Sequence, residues 1–155
     1  MRNFIVSIVC LSTLALSAQN KVMGYVFEDS NANGKKEKKE KPIANVAVSN
    51  GVEVVLTDAQ GKYELPVSED NPIFVIKPAG YGFVLDEYNL PRYYYMHKPN
   101  GSPKHLKYKG IDPTGKLPKE VNFGLLPQVE NDEFKAFVFG DPQPYTMEEM
   151  EYYKR

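Results

Sequence analysis

Short apolar stretches separated by turn-forming residues recur along this chain, and they constrain its fold more than any other feature. Between residues 22 and 77, alternating or β-branched stretches are interrupted by Asn50-Gly51 and by the turn-forming residues 58–61. Asn-Gly between two such stretches is a strong hairpin signal, and no stretch has convincing helical periodicity. The pattern predicts an all-β, antiparallel β-sandwich. Its strands are expected near residues 22–28, 45–49, 53–57, 62–65, 73–77 and 121–126.

The region 81–118 is different in kind, because it is rich in proline and tyrosine and contains both histidines of the chain, His97 and His105. We predict a packed loop without regular structure, since its aromatic residues argue against disorder. The histidines and the neighbouring Arg and Lys residues suggest a surface for an anion or a sugar. Loop packing with solvated charges is the simpler interpretation, because exposed charges mostly need no function.

The charge balance and the residue supply exclude several functions. Nineteen Lys and Arg residues against twenty Asp and Glu give a net charge of -1, so no nucleic-acid partner is expected. Two histidines are too few for a multi-histidine metal site, and the sequence contains no Ser-His-Asp arrangement and no glycine-rich phosphate loop. We therefore predict no catalytic residue in this chain.

The N-terminal residues 1–18 have the pattern of a secretory signal peptide. Arg2 precedes an apolar run over residues 4–16, and the small residues Ser17 and Ala18 follow it. The run is shorter than the roughly 20 residues that a membrane span needs, although an uncleaved anchor is the alternative. Cleavage after Ala18 predicts a secreted or periplasmic protein without a membrane span, and it removes Cys10, the single cysteine.

The polar loop 29–40 matches a calcium-loop pattern at each of its keyed positions. Candidate ligands are Asp29, Asn31, Asn33, Lys35 through its main-chain carbonyl, Glu37 and Glu40, with Gly34 at the sharp turn. Calcium prefers six to eight oxygen ligands, which a loop of this length supplies. The flanking lysines oppose a cation, so the predicted site is weak. The alternative is a solvated loop whose Asn and Gly residues serve turn geometry.

A second pattern begins after the polar segment 127–133. Residues 134–139 form a compact apolar stretch that predicts a strand, and Gly140, Asp141 and Gln143 follow it. Thr146 and Glu149 are spaced as a capping box for a helix over residues 147–155. A strand, a turn and a helix open an α/β unit, where a carboxylate after the strand binds a ligand or metal. Asp141 equally fits a Gly-Asp-Pro turn in which its side chain caps the backbone.

Several of these segments resemble a known family. Gly24 to Phe27, Ile43 to Gly51 and Thr57 to Tyr63 resemble transthyretin-like, carboxypeptidase-regulatory β-sandwiches. Residues 94–103 and 121–125 resemble the N-terminal module of secreted bacterial calcineurin-like metallophosphoesterases. Residues 137–143 resemble the first metal motif of their catalytic domain, which commonly reads Asp-x-His and in a subgroup has Gln at the third position.

The resemblance implies two divalent metals in a complete enzyme that hydrolyses a phosphoester. Asp141 would be a ligand of one metal, with Gln143 at the position of a histidine ligand. The later metal motifs of the family do not occur here, so this chain alone is expected to be inactive.

We therefore expect three parts: a signal peptide (1–18), a β-sandwich module (19–128) and the start of an incomplete phosphoesterase domain (129–155). The sandwich would position the hydrolase, or contact its substrate, the cell surface or a glycan. The alternative is a free-standing extracellular binding or adhesion module, stabilised by calcium.

Overall fold

The computed structural model describes residues 20–136, 138, 140 and 143–152. In that part the strands are β1 (Lys21–Glu28), β2 (Ala47–Ser49), β3 (Val54–Leu56), β4 (Lys62–Pro66), β5 (Asn71–Val75), β6 (Tyr81–Phe83), β7 (Tyr94–His97) and β8 (Phe123–Pro127), followed by the helix α1 (Met147–Tyr152). The predicted signal peptide lies outside the described residues. Among the residues that are described, no helix has the length and apolar character needed to cross a membrane.

The strands form two four-stranded sheets, which confirms the predicted β-sandwich. The first sheet has the order β4-β1-β8-β6 and the second has the order β3-β2-β5-β7. The first sheet also contains a parallel pair, since Val26 of β1 lies opposite Phe123 of β8 in parallel register. The predicted antiparallel sandwich thus contains one parallel strand pair, β1 with β8. Parallel pairing needs a long connection rather than a tight turn, and β8 follows the long irregular segment 98–122.

Inward-facing residues of both sheets make one core, as strand alternation requires. Each strand contributes every second side chain, so that Val22 and Val26 of β1 are buried while Met23 and Tyr25 between them are half-exposed. The other fully or almost fully buried members are Val46, Val48, Leu65, Ile73, Val75 and Leu125. Full burial of one such aliphatic side chain contributes about 1.5–3 kcal/mol, so this core is the main source of stability.

A close main-chain approach joins the segment before β8 to β1. The Val121 amide donates to the Met23 carbonyl (2.9 Å), and the buried Tyr63 hydroxyl donates to the Val121 carbonyl (2.7 Å). Burial raises the pKa of Tyr63. A Cβ at Gly24 would overlap the Val121 carbonyl oxygen and lie 2.9 Å from the Tyr63 ring. Glycine at position 24 is therefore what allows the two segments to come together.

The prediction of an irregular region 81–118 was wrong in two places, because β6 and β7 lie within it. β6 pairs with β8, and β7 pairs with β5, each at the edge of its sheet. Prolines 91 and 99 flank β7 closely, and proline next to a strand weakens the sequence signal for it. Residues 98–118 contain no strand or helix, as predicted for that part.

The C-terminal segment contains the start of the helix that the sequence predicts. Thr146 Oγ1 accepts from the Glu149 amide (3.2 Å) and Glu149 Oε2 accepts from the Thr146 amide (3.0 Å), which confirms the capping box at the start of α1. The predicted strand at 134–139 is not seen, since residues 134–136 and 138 lie outside any strand. Phe137, Phe139 and the predicted helix residues 153–155 lie outside the described residues.

Candidate functional site

The predicted calcium loop begins where β1 ends and folds back over the first sheet. The Asp29 amide donates to the Leu125 carbonyl of β8 (2.9 Å), and the Glu28 amide donates to the Lys41 carbonyl (2.8 Å). A bridge between Phe27 and Pro42 closes the loop at its far end. Both ends of the loop are thus fixed to the sandwich by main-chain contacts, and the residues between them form one loop.

Asp29 organises this loop from a fully buried position. Its Oδ2 accepts from the Gly34 amide (2.6 Å) and its Oδ1 accepts from the Asn33 amide (3.2 Å). A Cβ at Gly124 would lie 2.7 Å from Asp29 Oδ2, so glycine in β8 leaves the space that the carboxylate occupies. The Asp29 carboxylate therefore accepts hydrogen bonds from two main-chain amides of the loop, those of Asn33 and Gly34.

In the middle of the loop, asparagine side chains form hydrogen bonds with main-chain amides and with a carboxylate. Asn31 Oδ1 accepts from the Asn33 amide (3.2 Å) and Asn33 Oδ1 accepts from the Lys35 amide (2.7 Å). The side-chain amides of both asparagines donate to the Glu37 carboxylate, each at 3.2 Å. The structure thus brings Asp29, Asn31, Asn33 and Glu37 together, as the sequence predicts.

Glu40 ends the loop with one carboxylate oxygen in use. Its Oε2 accepts from the Glu37 amide (2.7 Å), whereas its buried Oε1 has no hydrogen-bond partner among the described residues. Within the described part of the chain, no group of three or more His, Cys, Asp and Glu side chains stands close enough to bind a metal. Calcium binding therefore stays a prediction.

Two of the lysines near the loop have partners of their own. The Lys36 ammonium lies 4.6 Å from the centroid of the Tyr25 ring, a distance typical of a cation–π contact. The Lys41 ammonium lies 3.5 Å from Glu28 Oε1. These contacts direct both positive charges to the sheet rather than to the carboxylates of the loop.

A cleft next to the loop was missed by the sequence analysis. Its lining includes Gly34, Arg92, Tyr95, Glu120 and Asn122. Asn122 Oδ1 accepts from the Tyr25 amide (2.9 Å), and its side-chain amide donates to Glu120 (3.0 Å). The lining residues come from three distant segments, so no local motif signals the cleft before the strand order is known.

Three residues of the suggested anion or sugar surface, His97, Lys98 and Lys109, are buried or paired in the structure, and the surface itself stays a prediction. His97 is buried at the end of β7, and its Nδ1 has no partner among the described residues. Lys98 forms an ion pair with Asp70, and the Lys109 ammonium lies 2.9 Å from Asp112. The simpler interpretation, packing and solvated charge, is therefore the one that the structure favours.

A comparison with known protein families gives a match that includes this part of the chain. A family model described as the N-terminal of calcineurin-like phosphoesterase matches residues 30–112, more than half of the chain. The chain belongs to this family. The matched residues include most of the predicted calcium loop and every strand from β2 to β7. No curated protein matches the chain.

In this phosphoesterase N-terminal family member, the residues predicted to bind the phosphoesterase metals follow the sandwich. Asp141 lies outside the described residues. Gln143 is described, and its Oε1 accepts from the Tyr145 hydroxyl at 3.4 Å. Asp141 and Gln143 therefore stay predicted metal ligands.

Proposed function

We propose that this chain is the N-terminal part of a secreted calcineurin-like metallophosphoesterase, in which the β-sandwich is a non-catalytic positioning or binding module. The family match over residues 30–112 carries the proposal. The apolar stretch, turn and capped helix at 134–152 support it, because they follow the sandwich in the order expected of an opening α/β unit.

The chemistry proposed for the complete enzyme is hydrolysis of a phosphoester by water at a site with two divalent metals. Asp141 supplies carboxylate oxygen to one metal, and Gln143 supplies an amide oxygen beside it. Hard divalent cations accept such oxygen ligands. The remaining ligands must come from residues after this chain, and the sandwich contacts the substrate, a glycan or the cell surface.

The first test is an activity measurement on two proteins. We expect the 155-residue chain to hydrolyse p-nitrophenyl phosphate with Mn²⁺ no faster than buffer does, because the later metal motifs of the family do not occur in its sequence. We call the protein translated through the downstream reading frame the full-length protein. The full-length protein is expected to hydrolyse p-nitrophenyl phosphate. Clear turnover by the 155-residue chain would contradict the proposal.

The matched variants are Asp141→Asn and Asp132→Asn in the full-length protein. Loss of the ligand at Asp141 is expected to lower kcat/KM by at least about 100-fold, since even outer-shell partners of a metal contribute about 10–100-fold. Asp132 is exposed and its substitution should have no effect. A downstream frame without further metal motifs favours the alternative, a free-standing binding or adhesion module.

A second proposal concerns the loop 29–40, which we infer to bind Ca²⁺ weakly and stabilise the sandwich. The orphaned, buried Oε1 of Glu40 supports it, as does the set of oxygen-bearing residues gathered in the loop. Calcium takes carboxylate, amide and main-chain oxygens together, which are the groups that Asp29, Asn31 and Asn33 supply.

Calcium is expected to raise the melting temperature of the 155-residue chain. With a Kd of about 1 mM, typical of extracellular modules, 10 mM Ca²⁺ adds about 1.4 kcal/mol, which corresponds to about 5 °C. Differential scanning fluorimetry measures this, with Mg²⁺ at equal concentration as the control. Glu40→Gln should remove most of the shift. An equal shift in Mg²⁺, or none in Ca²⁺, contradicts calcium binding.

A further inference from the structure

The outer face of the second sheet is apolar. Alternation places one set of side chains of β3, β2, β5 and β7 in the core and the other set on this face. We define the outer face by Val54, Leu56, Phe74, Ile76, Tyr94 and Met96. Leu56 and Val54 are about three-fifths exposed, and Tyr94 nearly as much.

Residue pairing shows that these side chains are neighbours rather than scattered. Leu56 lies opposite Ala47, and the Ile76 amide bonds to the Ala47 carbonyl on the other side. In the next row, Ser49 lies between Val54 and Phe74, and Phe74 lies opposite Tyr94. The second row crosses all four strands, and its β2 position is Ser49, which is buried, so the exposed surface of the two rows is made by the apolar side chains. Contiguous apolar surface of this kind marks a site of contact with another protein surface.

The charge distribution separates this face from the rest of the sandwich. No residue of β2, β3, β5 or β7, all of which are described, is Asp, Glu, Lys or Arg. The first sheet has Lys21 and Glu28 in β1 and Lys62 and Glu64 in β4. Absence of charge is what distinguishes the centre of a protein interface from ordinary surface.

The chain leaves the sandwich beside this face. After β8, the Gln128 amide donates to the Gly80 carbonyl (2.8 Å). Glu130 then forms an ion pair with Lys77, which directly follows Ile76 of the outer face. Lys77 Nζ also donates to the Tyr81 carbonyl (2.9 Å), which fixes this exit point. Whatever follows residue 130 therefore starts at one end of the outer face.

Three polar residues, 131–133, follow the exit, and the mainly apolar stretch that begins at Phe134 is uncovered at the positions that are described. Phe134 is 83% exposed and Val138 is 92% exposed. Four residues span at most about 14 Å, about the width of four strands at 4.8 Å spacing. Phe134 thus lies within reach of the whole outer face, with no further linker required.

We propose that the outer face of the second sheet is the docking surface for the phosphoesterase domain that begins near Phe134. This inference rests on the proposed function for the identity of its occupant. Docking buries two apolar surfaces that the chain otherwise leaves in water, and the short tether at Glu130 favours contact within one molecule. The module thereby becomes a rigid neighbour of the hydrolase rather than a domain on a flexible linker.

Hydroxyl-radical labelling of the 155-residue chain and of the full-length protein tests this docking. We expect labelling of Tyr94 to fall at least about fivefold in the full-length protein, as for a side chain transferred to the core of an interface. Tyr108 is three-quarters exposed on a separate loop, and its labelling should be equal in both proteins. Leu56→Asp should restore Tyr94 labelling in the full-length protein, whereas the matched Leu106→Asp should not.

The outcomes separate the docking from the proposed function. A full-length protein that hydrolyses p-nitrophenyl phosphate but labels Tyr94 as strongly as the short chain overturns the docking alone. Protection of Tyr94 without hydrolysis supports the docking and overturns the activity. Concentration-dependent protection within the 155-residue chain assigns the face to a second copy and overturns the docking. A downstream frame without a domain overturns both.

Discussion

Replacement of Gly24 by alanine is expected to lower the free energy of unfolding by about 2–4 kcal/mol. The added Cβ would overlap the Val121 carbonyl oxygen and lie 2.6 Å from its carbon. Insertion of a methyl group into a packed site costs about 1–3 kcal/mol. Separation of the main chains also weakens the hydrogen bond from Tyr63 to Val121, which contributes about 1 kcal/mol.

Urea unfolding followed by circular dichroism measures this change, and two variants separate its causes. Tyr63→Phe removes the hydrogen bond without the steric overlap and should lower stability by about 1 kcal/mol. Gly140→Ala makes the same exchange where the added Cβ would meet no atom of the described residues within 4 Å, so its effect should stay within about 0.5 kcal/mol. A Gly24→Ala protein as stable as Gly140→Ala would refute the close approach.

Replacement of Asp29 by alanine is expected to lower the free energy of unfolding by about 2–4 kcal/mol. The buried carboxylate accepts from the Gly34 and Asn33 amides, and hydrogen bonds to charged acceptors contribute about 1.5–3 kcal/mol each. Release of these amides also loosens the loop between Asp29 and Pro42, whose far end is bridged to the fully buried Phe27. Part of the loss is recovered because water reaches the freed amides of the exposed loop residues.

Asn31→Ala is the matched control, since Asn31 is exposed and its side chain makes two hydrogen bonds of 3.2 Å within the same loop. Its substitution should cost less than about 1 kcal/mol. Thermal unfolding of both variants, with and without Ca²⁺, measures the difference. Equal stability of the two variants would show that the buried position of Asp29 contributes nothing.

The sequence predicted the sandwich because turn chemistry is local. Asn50-Gly51 and residues 58–61 determine where strands end, and alternation assigns their faces. The parallel pairing of β1 with β8 was not predictable, because strand order depends on contacts between residues far apart in the chain. β6 was missed because three residues are too short for a periodicity signal.

The candidate site was predictable to the extent that it is a local motif. The spacing of Asp29, Asn31, Asn33 and Glu37 in the sequence was sufficient to predict that they gather in one loop. The burial of Asp29 was not predictable. It depends on Gly124 in β8, a strand that pairs with β1 but is far from it in the sequence. The outer apolar face was hidden for the same reason, since its rows cross four strands.

The position of β1 between β4 and β8 has a consequence for the order of folding. Tyr25 and Asn122 bond to each other although they are 97 positions apart, so one side of β1 has no partner until almost the whole module has been synthesised. Sheets that depend on such distant pairing form slowly and leave strand edges open meanwhile. The module can therefore complete its first sheet only after synthesis has passed β8.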